Sequence, residues 1–168
     1  DLTHELIREE IPKEEWILNF LGGPGIGAKI LFDEVPPKIS AFDPANKLIF
    51  MSGLLTGTPV LSAARYGVVF KSPQTGGYGE ATAGGKWGTE LKRAGYDGII
   101  AEGCARVPRV LVITNAGVEI RDGSSVWGKD TLSTEECLQK EFGKGFKVAS
   151  IGPAGENGVR MSSIINDR

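Results

Sequence analysis

The 168-residue sequence has one histidine, two cysteines and no apolar run near the roughly 20 residues that a membrane-crossing helix needs. Each scarcity closes off a class of function. His4 lies in a polar N-terminal stretch, "DLTHELIREE", and reads as a surface residue. With that imidazole on the surface, the chain offers no His/Cys metal site and no Ser-His-Asp or Cys-His set. Cys104 and Cys137 are far apart and form no CxxC pair. They read as two buried thiols of a reducing cytoplasm. The N-terminal stretch also lacks the apolar centre of a secretory signal. Neither sign of charge is in excess: 19 basic residues face 21 acidic ones, for a net charge of −2. No global field therefore draws nucleic acid, and aromatics are not interleaved with basic clusters. No GxxxxGK[ST] loop occurs. "GGPGIG" (residues 22–27) follows a predicted helix rather than a strand and is interrupted by Pro24, which argues against a dinucleotide turn.

What the chain has in excess is glycine, 24 of 168 residues, about twice the usual share. The hydrophobic fraction of 40% and charged fraction of 24% are those of an ordinary globular domain. Glycine is densest in "SPQTGGYGEATAGGKWG", residues 72–88, which hold six. Ordered glycine costs conformational entropy, so such a stretch needs a reason. A disordered linker would lack anchors such as Tyr78, Trp87 and Leu91. Tight structural turns are a second reading. The third is a backbone kept bare to approach a ligand with phosphate or many polar edges, its N–H groups forming a nest and a following helix adding its positive end. Three clusters favour the third: "LLTGTP", "TGGYGEATAGG" and "GPAGENG", each near the end of an apolar strand. Arg65 follows the small residues Ser62, Ala63 and Ala64 and can lie across a planar or phosphate-bearing ligand. Its alternative is a surface ion pair, as it is for Lys71, Glu80, Lys86 and Glu90.

Periodicity and turn residues outline the rest. "IPKEEWILNFLGG" predicts a helix with Trp16, Ile17 and Phe20 on its apolar face, and "GIGAKILFDEV" a second that ends at Pro36-Pro37. "KLIFMSG" and "YGVVFKS" predict strands, and "GKWGTELKRAG" a short helix. "DGIIAEG", "RVLVIT" and "GVEIRDG" predict further strands, the last two joined by a hairpin at Asn115-Ala116-Gly117. Ser133-x-x-Glu136 reads as a capping box for "CLQKEFG", and "FKVASIG" and "VRMSSII" as late strands. "LIFMSGLLTGTPVLSAARYGVVF" and "FKVASIGPAGENGVRMSSII" share one layout: strand, glycine loop, Arg, strand, with a helix before each. The expectation is an α+β, strand-rich domain of two related halves about a pseudo-two-fold axis, with two packed β-sheets and a few helices.

In order along the chain, "GGPGIGAKIL", "GLLTGTP", "ARYGVVFKSPQTG", "GGKWGTELKRAGYDGII", "GVEIRDGSSVWGKDT" and "IGPAGENGVR" resemble the N-terminal domain of the tungsten-containing aldehyde:ferredoxin oxidoreductase family. The resemblance spans nearly the whole chain, and family members are several times longer. It implies that residues 1–168 are one cofactor-binding domain at the start of a larger cytoplasmic oxidoreductase of anaerobic metabolism. It implies a bis-pterin tungsten (or molybdenum) cofactor whose pterins are bridged by Mg²⁺. A [4Fe–4S] cluster would lie in the remainder of the polypeptide. The implied reaction oxidises an aldehyde to a carboxylic acid with water as oxygen source, and electrons pass through the cluster to ferredoxin. The implied partners are ferredoxin, the C-terminal domains of the same polypeptide and, for the assembly, a second copy in a homodimer. Arg65 matches the family arginine that contacts the pterin. Thr82, Ala83, Gly84 and Gly85 match the loop that holds it, with Thr82 at the position of the Mg²⁺ ligand. Thr82 stands where the family often has Asn, and Pro24 where it usually has Arg. The family's second cofactor loop would begin just beyond "IINDR". Two alternatives stay open: a family domain turned to assembly or interaction, and a related enzyme acting on another substrate such as an acyl-CoA ring.

Overall fold

The unbroken apolar run in "KLIFMS" puts apolar side chains on both faces of one strand, Ile49 and Met51 buried on one and Leu48 and Phe50 half-buried on the other, and the architecture is built around it. The computed structural model describes residues 1–167. The chain opens with helices α1 (Glu14–Phe20) and α2 (Pro24–Glu34), then strands β1 (Lys47–Ser52), β2 (Tyr66–Lys71) and β3 (Tyr78–Ala83). Helix α3 (Trp87–Arg93) and strand β4 (Gly98–Glu102) complete the first half. The second half holds the hairpin β5 (Arg109–Thr114) and β6 (Gly117–Asp122), helix α4 (Thr131–Phe142), strand β7 (Ala149–Ser150), helix α5 (Pro153–Glu156) and strand β8 (Ile165–Asn166). The strands form one antiparallel sheet in the order β3-β2-β1-β4 and two two-stranded sheets, β5-β6 and β7-β8. The fold is α+β, as expected.

One face of the large sheet carries Ile49 and Met51 of β1 with Val69 of β2, and α2 covers it with Ile26 and Ile30. Ile49 and Val69 are fully buried. Truncating Ile49 to Ala removes about 2–5 kcal/mol, the usual cost of a core cavity. Two glycines flank Met51 in register, Gly67 of β2 and Gly98 of β4. A side chain at Gly98 would collide with the Met51 sulfur, and one at Gly67 with the ring of Pro24. Pro24 is the first residue of α2, where its missing N–H costs nothing. The break before it is made by Leu21, Gly22 and Gly23, all at positive φ. On the opposite face, Trp87 of α3 stacks at 4.7 Å from Tyr66 and 5.5 Å from Phe50. Gly88 lets that helix close on the Tyr66 ring.

The two halves repeat a layout. A helix precedes an antiparallel strand pair joined by a glycine-containing loop with an arginine: α2 before β1 and β2, α4 before β7 and β8. The second pair is short, with two residues in each strand. Several expectations change. The glycine-rich stretch is not one long loop: residues 78–83 are strand β3, paired with β2 along its whole length. Gly79 is bare because the Phe70 ring crosses it. "PAGENG" begins as helix α5 rather than a loop. Asp130, not Ser133, caps α4, accepting a 2.7 Å hydrogen bond from the Ser133 N–H. The preceding Asp reaches the third N–H of the turn, which places Ser133 inside the helix. Cys104 is exposed and Cys137 half-buried, so the thiols are not the buried pair expected. The face of α1 is also less buried than its spacing suggested, with Phe20 38% and Ile17 41% exposed. His4 is on the surface as expected, its Nδ1 2.6 Å from the Asp1 carboxylate. Among the described residues no helix is long and apolar enough to cross a membrane.

Candidate cofactor-binding site

Strand register gathers the singled-out residues at one edge of the large sheet. Tyr66 pairs with Ala83, so Arg65 enters β2 beside the point where Gly84 leaves β3. The Gly53 N–H donates to the Arg65 carbonyl (3.2 Å), which extends the β1–β2 ladder by one step. The Thr56 hydroxyl donates to the same carbonyl at 2.7 Å. Its main chain is therefore fixed while its side chain is exposed and has no partner among the described residues. Thr82 pairs with Gly67. By strand alternation Arg65, Gly67 and Thr82 share the face on which the Pro24 ring lies. Arg65, Thr82 and the Pro24 ring thus lie around Gly67, and the uncharged proline ring fills the hollow left by that glycine.

The glycines of the loop differ in what they serve. Gly85 has φ +91°, and a side chain there would run into the Asp167 carboxylate. Gly84 is different: a Cβ would meet nothing within 4 Å. The packing of this chain does not demand glycine at 84. Its bareness leaves open space beside an exposed hydroxyl, that of Thr82, and an unpaired guanidinium, that of Arg65. This donor set fits an anionic ligand rich in acceptor atoms. No cluster of three His, Cys, Asp or Glu able to cage a metal occurs among the described residues. A hard cation here would have to take oxygen from Thr82, from main-chain carbonyls and from the ligand itself.

One expectation is overturned. The positive end of α3 is not open to a ligand. Asp167 Oδ2 accepts from the Lys86 N–H at 2.6 Å and the Trp87 N–H at 2.8 Å. The neighbouring Asn166 donates from Nδ2 to the Gly84 carbonyl at 3.0 Å and accepts the Tyr66 hydroxyl at Oδ1, also 3.0 Å. Burial, reinforced by the Asp167 charge, pushes the Tyr66 phenol up to about 12, so it remains a protonated donor at neutral pH. Tyr66 lies in the stretch "ARYGVVFKSPQTG", whose pattern assigns it no role, and no local signal marks Asn166 and Asp167. A cavity of about 1560 Å³ lies elsewhere. It is an open, mainly apolar cleft between Phe50 and Ile99 of the sheet, Val112 and Ile120 of the hairpin, and Leu138 and Phe142 of α4, and it includes neither Arg65 nor residues 82–85.

Residues 1–168 match the sequence pattern described as "Aldehyde ferredoxin oxidoreductase, N-terminal domain". A tungsten-containing aldehyde ferredoxin oxidoreductase of Pyrococcus abyssi is 48% identical over 99% of this chain and 28% of its own length. An aliphatic sulfonate oxidoreductase, WOR-like subunit, of Pyrococcus furiosus is 36% identical over 98% of this chain and 29% of its own. Among solved structures, the active-site complex BamBC of benzoyl coenzyme A reductase with 1,5-dienoyl-CoA superposes with a TM-score of 0.96 at 43% identity, over 99% of this chain and 26% of that one. The chain thus spans little more than a quarter of the length of these relatives.

Proposed function

The chain belongs to the aldehyde ferredoxin oxidoreductase family, as its N-terminal domain, and from that premise we propose that it is the base on which a pterin-bound tungsten cofactor rests in a larger oxidoreductase. The observation that carries this reading is the pairing of an exposed, unpartnered Arg65 with the bare Gly84 at the adjoining strand end. Arg65 supplies a planar cation, on a main chain held by Gly53 and Thr56, for phosphate or a pterin edge. Gly84 and Ala83 keep bulk out of the way so that the main chain meets the ligand at hydrogen-bond range. Gly85 turns the backbone back under the site. The Thr82 hydroxyl offers oxygen to a bridging Mg²⁺. When bound, the cofactor supplies two-electron oxidation of an aldehyde to a carboxylate, and the domain's own share is binding and orientation. Electrons would leave through an iron–sulfur cluster held by the rest of the polypeptide, toward ferredoxin.

The test is metal and pterin analysis of the full-length protein purified without oxygen, with Arg65→Ala beside it. Stoichiometric tungsten and pterin in the wild type, reduced several-fold in R65A without a matching loss of thermal stability, is the expected result. Equal occupancy in R65A would return Arg65 to the role of a surface cation. A second reading draws on the coenzyme A reductase neighbour, at 43% identity: the same base in an enzyme acting on an acyl-CoA ring. Viologen dye reduction separates the two. Aldehydes drive it in the first reading, and a cyclic dienoyl-CoA drives it in the second.

A further inference from the structure

The residues that shape the candidate loop most directly come from the far end of the sequence. Four consecutive loop positions are held from one two-residue step. Gly84 is held through its carbonyl by Asn166 Nδ2, at 3.0 Å. Gly85 is held through the space that the Asp167 carboxylate fills. Lys86 and Trp87 are held through N–H groups donated to Asp167 Oδ2, at 2.6 and 2.8 Å. Asn166 Nδ2 also bonds Asp167 Oδ2 at 2.8 Å, and the Tyr66 hydroxyl fixes the Asn166 amide from the sheet side. A helix cap alone needs one acceptor on one or two N–H groups. Here the contacts run backward from the helix into the bare loop, and Asn166 is itself part of β8, paired with Ala149 of β7.

We propose that Asn166 and Asp167 are positioning residues for the cofactor: their latch sets the main-chain shape of residues 84–87, so that cofactor loading waits on β8 being seated against β7. The latch explains why Gly85 is bare where Gly84 is open. It also divides the loop's polar groups. The N–H donors of Lys86 and Trp87 are spent on Asp167, and the ligand is left to the opposite side of the loop, toward Arg65 and Thr82. The proposal rests on the reading that residues 82–85 hold the cofactor.

The experiment uses full-length protein purified without oxygen, as wild type and as Asp167→Ala, Asp167→Asn and Asp130→Ala. Tungsten and pterin per polypeptide are measured, along with amide hydrogen exchange at residues 84–87 in cofactor-free protein. D167A is expected to hold about fivefold less tungsten and pterin, the equilibrium weight of one typical cap, and to exchange faster at Lys86 and Trp87. D167N keeps a side-chain oxygen in place and recovers most of the loading. D130A removes the acceptor that caps α4 at the Ser133 N–H and is expected to keep more cofactor than D167A. Should D167A not accumulate as folded protein, Asn166→Ala carries the same expectation through the Gly84 carbonyl. A loaded wild type with an equally loaded D167A, or a D130A that loses as much cofactor as D167A, overturns the latch alone. A wild type free of tungsten and pterin overturns the functional reading and the latch with it.

Discussion

Helices α3 and α4 begin in the same way and depend on different things. Each has an aspartate accepting from first-turn N–H groups. For α4 it is Asp130, three residues before Ser133. For α3 it is Asp167, eighty residues beyond Trp87. The residue at the α3 cap position, Lys86, makes no side-chain cap hydrogen bond. A local cap is made by residues adjacent in sequence and can form with its helix. A remote cap forms only when two halves of the molecule meet, so it reports assembly as well as helix stability. That difference matters because the remote cap sits under the candidate cofactor loop and the local one does not.

The comparison can be broken most sharply at Gly85. G85A strains a residue at φ +91° and displaces the Asp167 carboxylate. It should raise the population of open loop by about 1–3 kcal/mol, read from hydrogen exchange at residues 84–87. Asp167→Ala comes next, with a loss of about 0.5–2 kcal/mol confined to the start of α3. Exchange at Ser133 and Thr134 should stay unchanged. Asp130→Ala is the mirror image: about 1 kcal/mol at the start of α4, with residues 84–87 untouched. If D167A and D130A loosened both helices equally, the distinction between local and remote caps would fail.

Tyr66→Phe gives a smaller and pH-dependent effect. It removes the hydroxyl that fixes Asn166, at about 0.5–1.5 kcal/mol. The Tyr66 phenol is raised from 10.0 to about 12 in the fold, first by burial and then by the Asp167 charge. A raised value favours the protonated form, so its stabilising share is complete below pH 10 and is lost as pH climbs through about 12. Wild-type stability should fall more steeply than that of Y66F across this window. Tyrosinate absorbance should show one fewer late-titrating group in the variant.

The local elements were legible because their signals are local. Pro36-Pro37 stops α2, Gly143 stops α4, and short apolar runs mark β1 and β2. Strand β3 was not legible. Its glycines and small residues have weak strand propensity, and it becomes a strand by pairing with β2, with Gly79 accommodating Phe70 across the register. Arg65 and the loop at residues 82–85 were reachable from sequence pattern, and register brings them together. Pro24 was visible as a departure, while its contact with Gly67 was not.

The sequence by itself determined which segments carry bare backbone and that an arginine stands among small neighbours beside them, because both are properties of adjacent residues. The tertiary structure alone decided which glycines serve packing and which face open space. It also decided that the end of α3 is closed by Asp167, because a contact across eighty residues exists only after both halves have folded against each other.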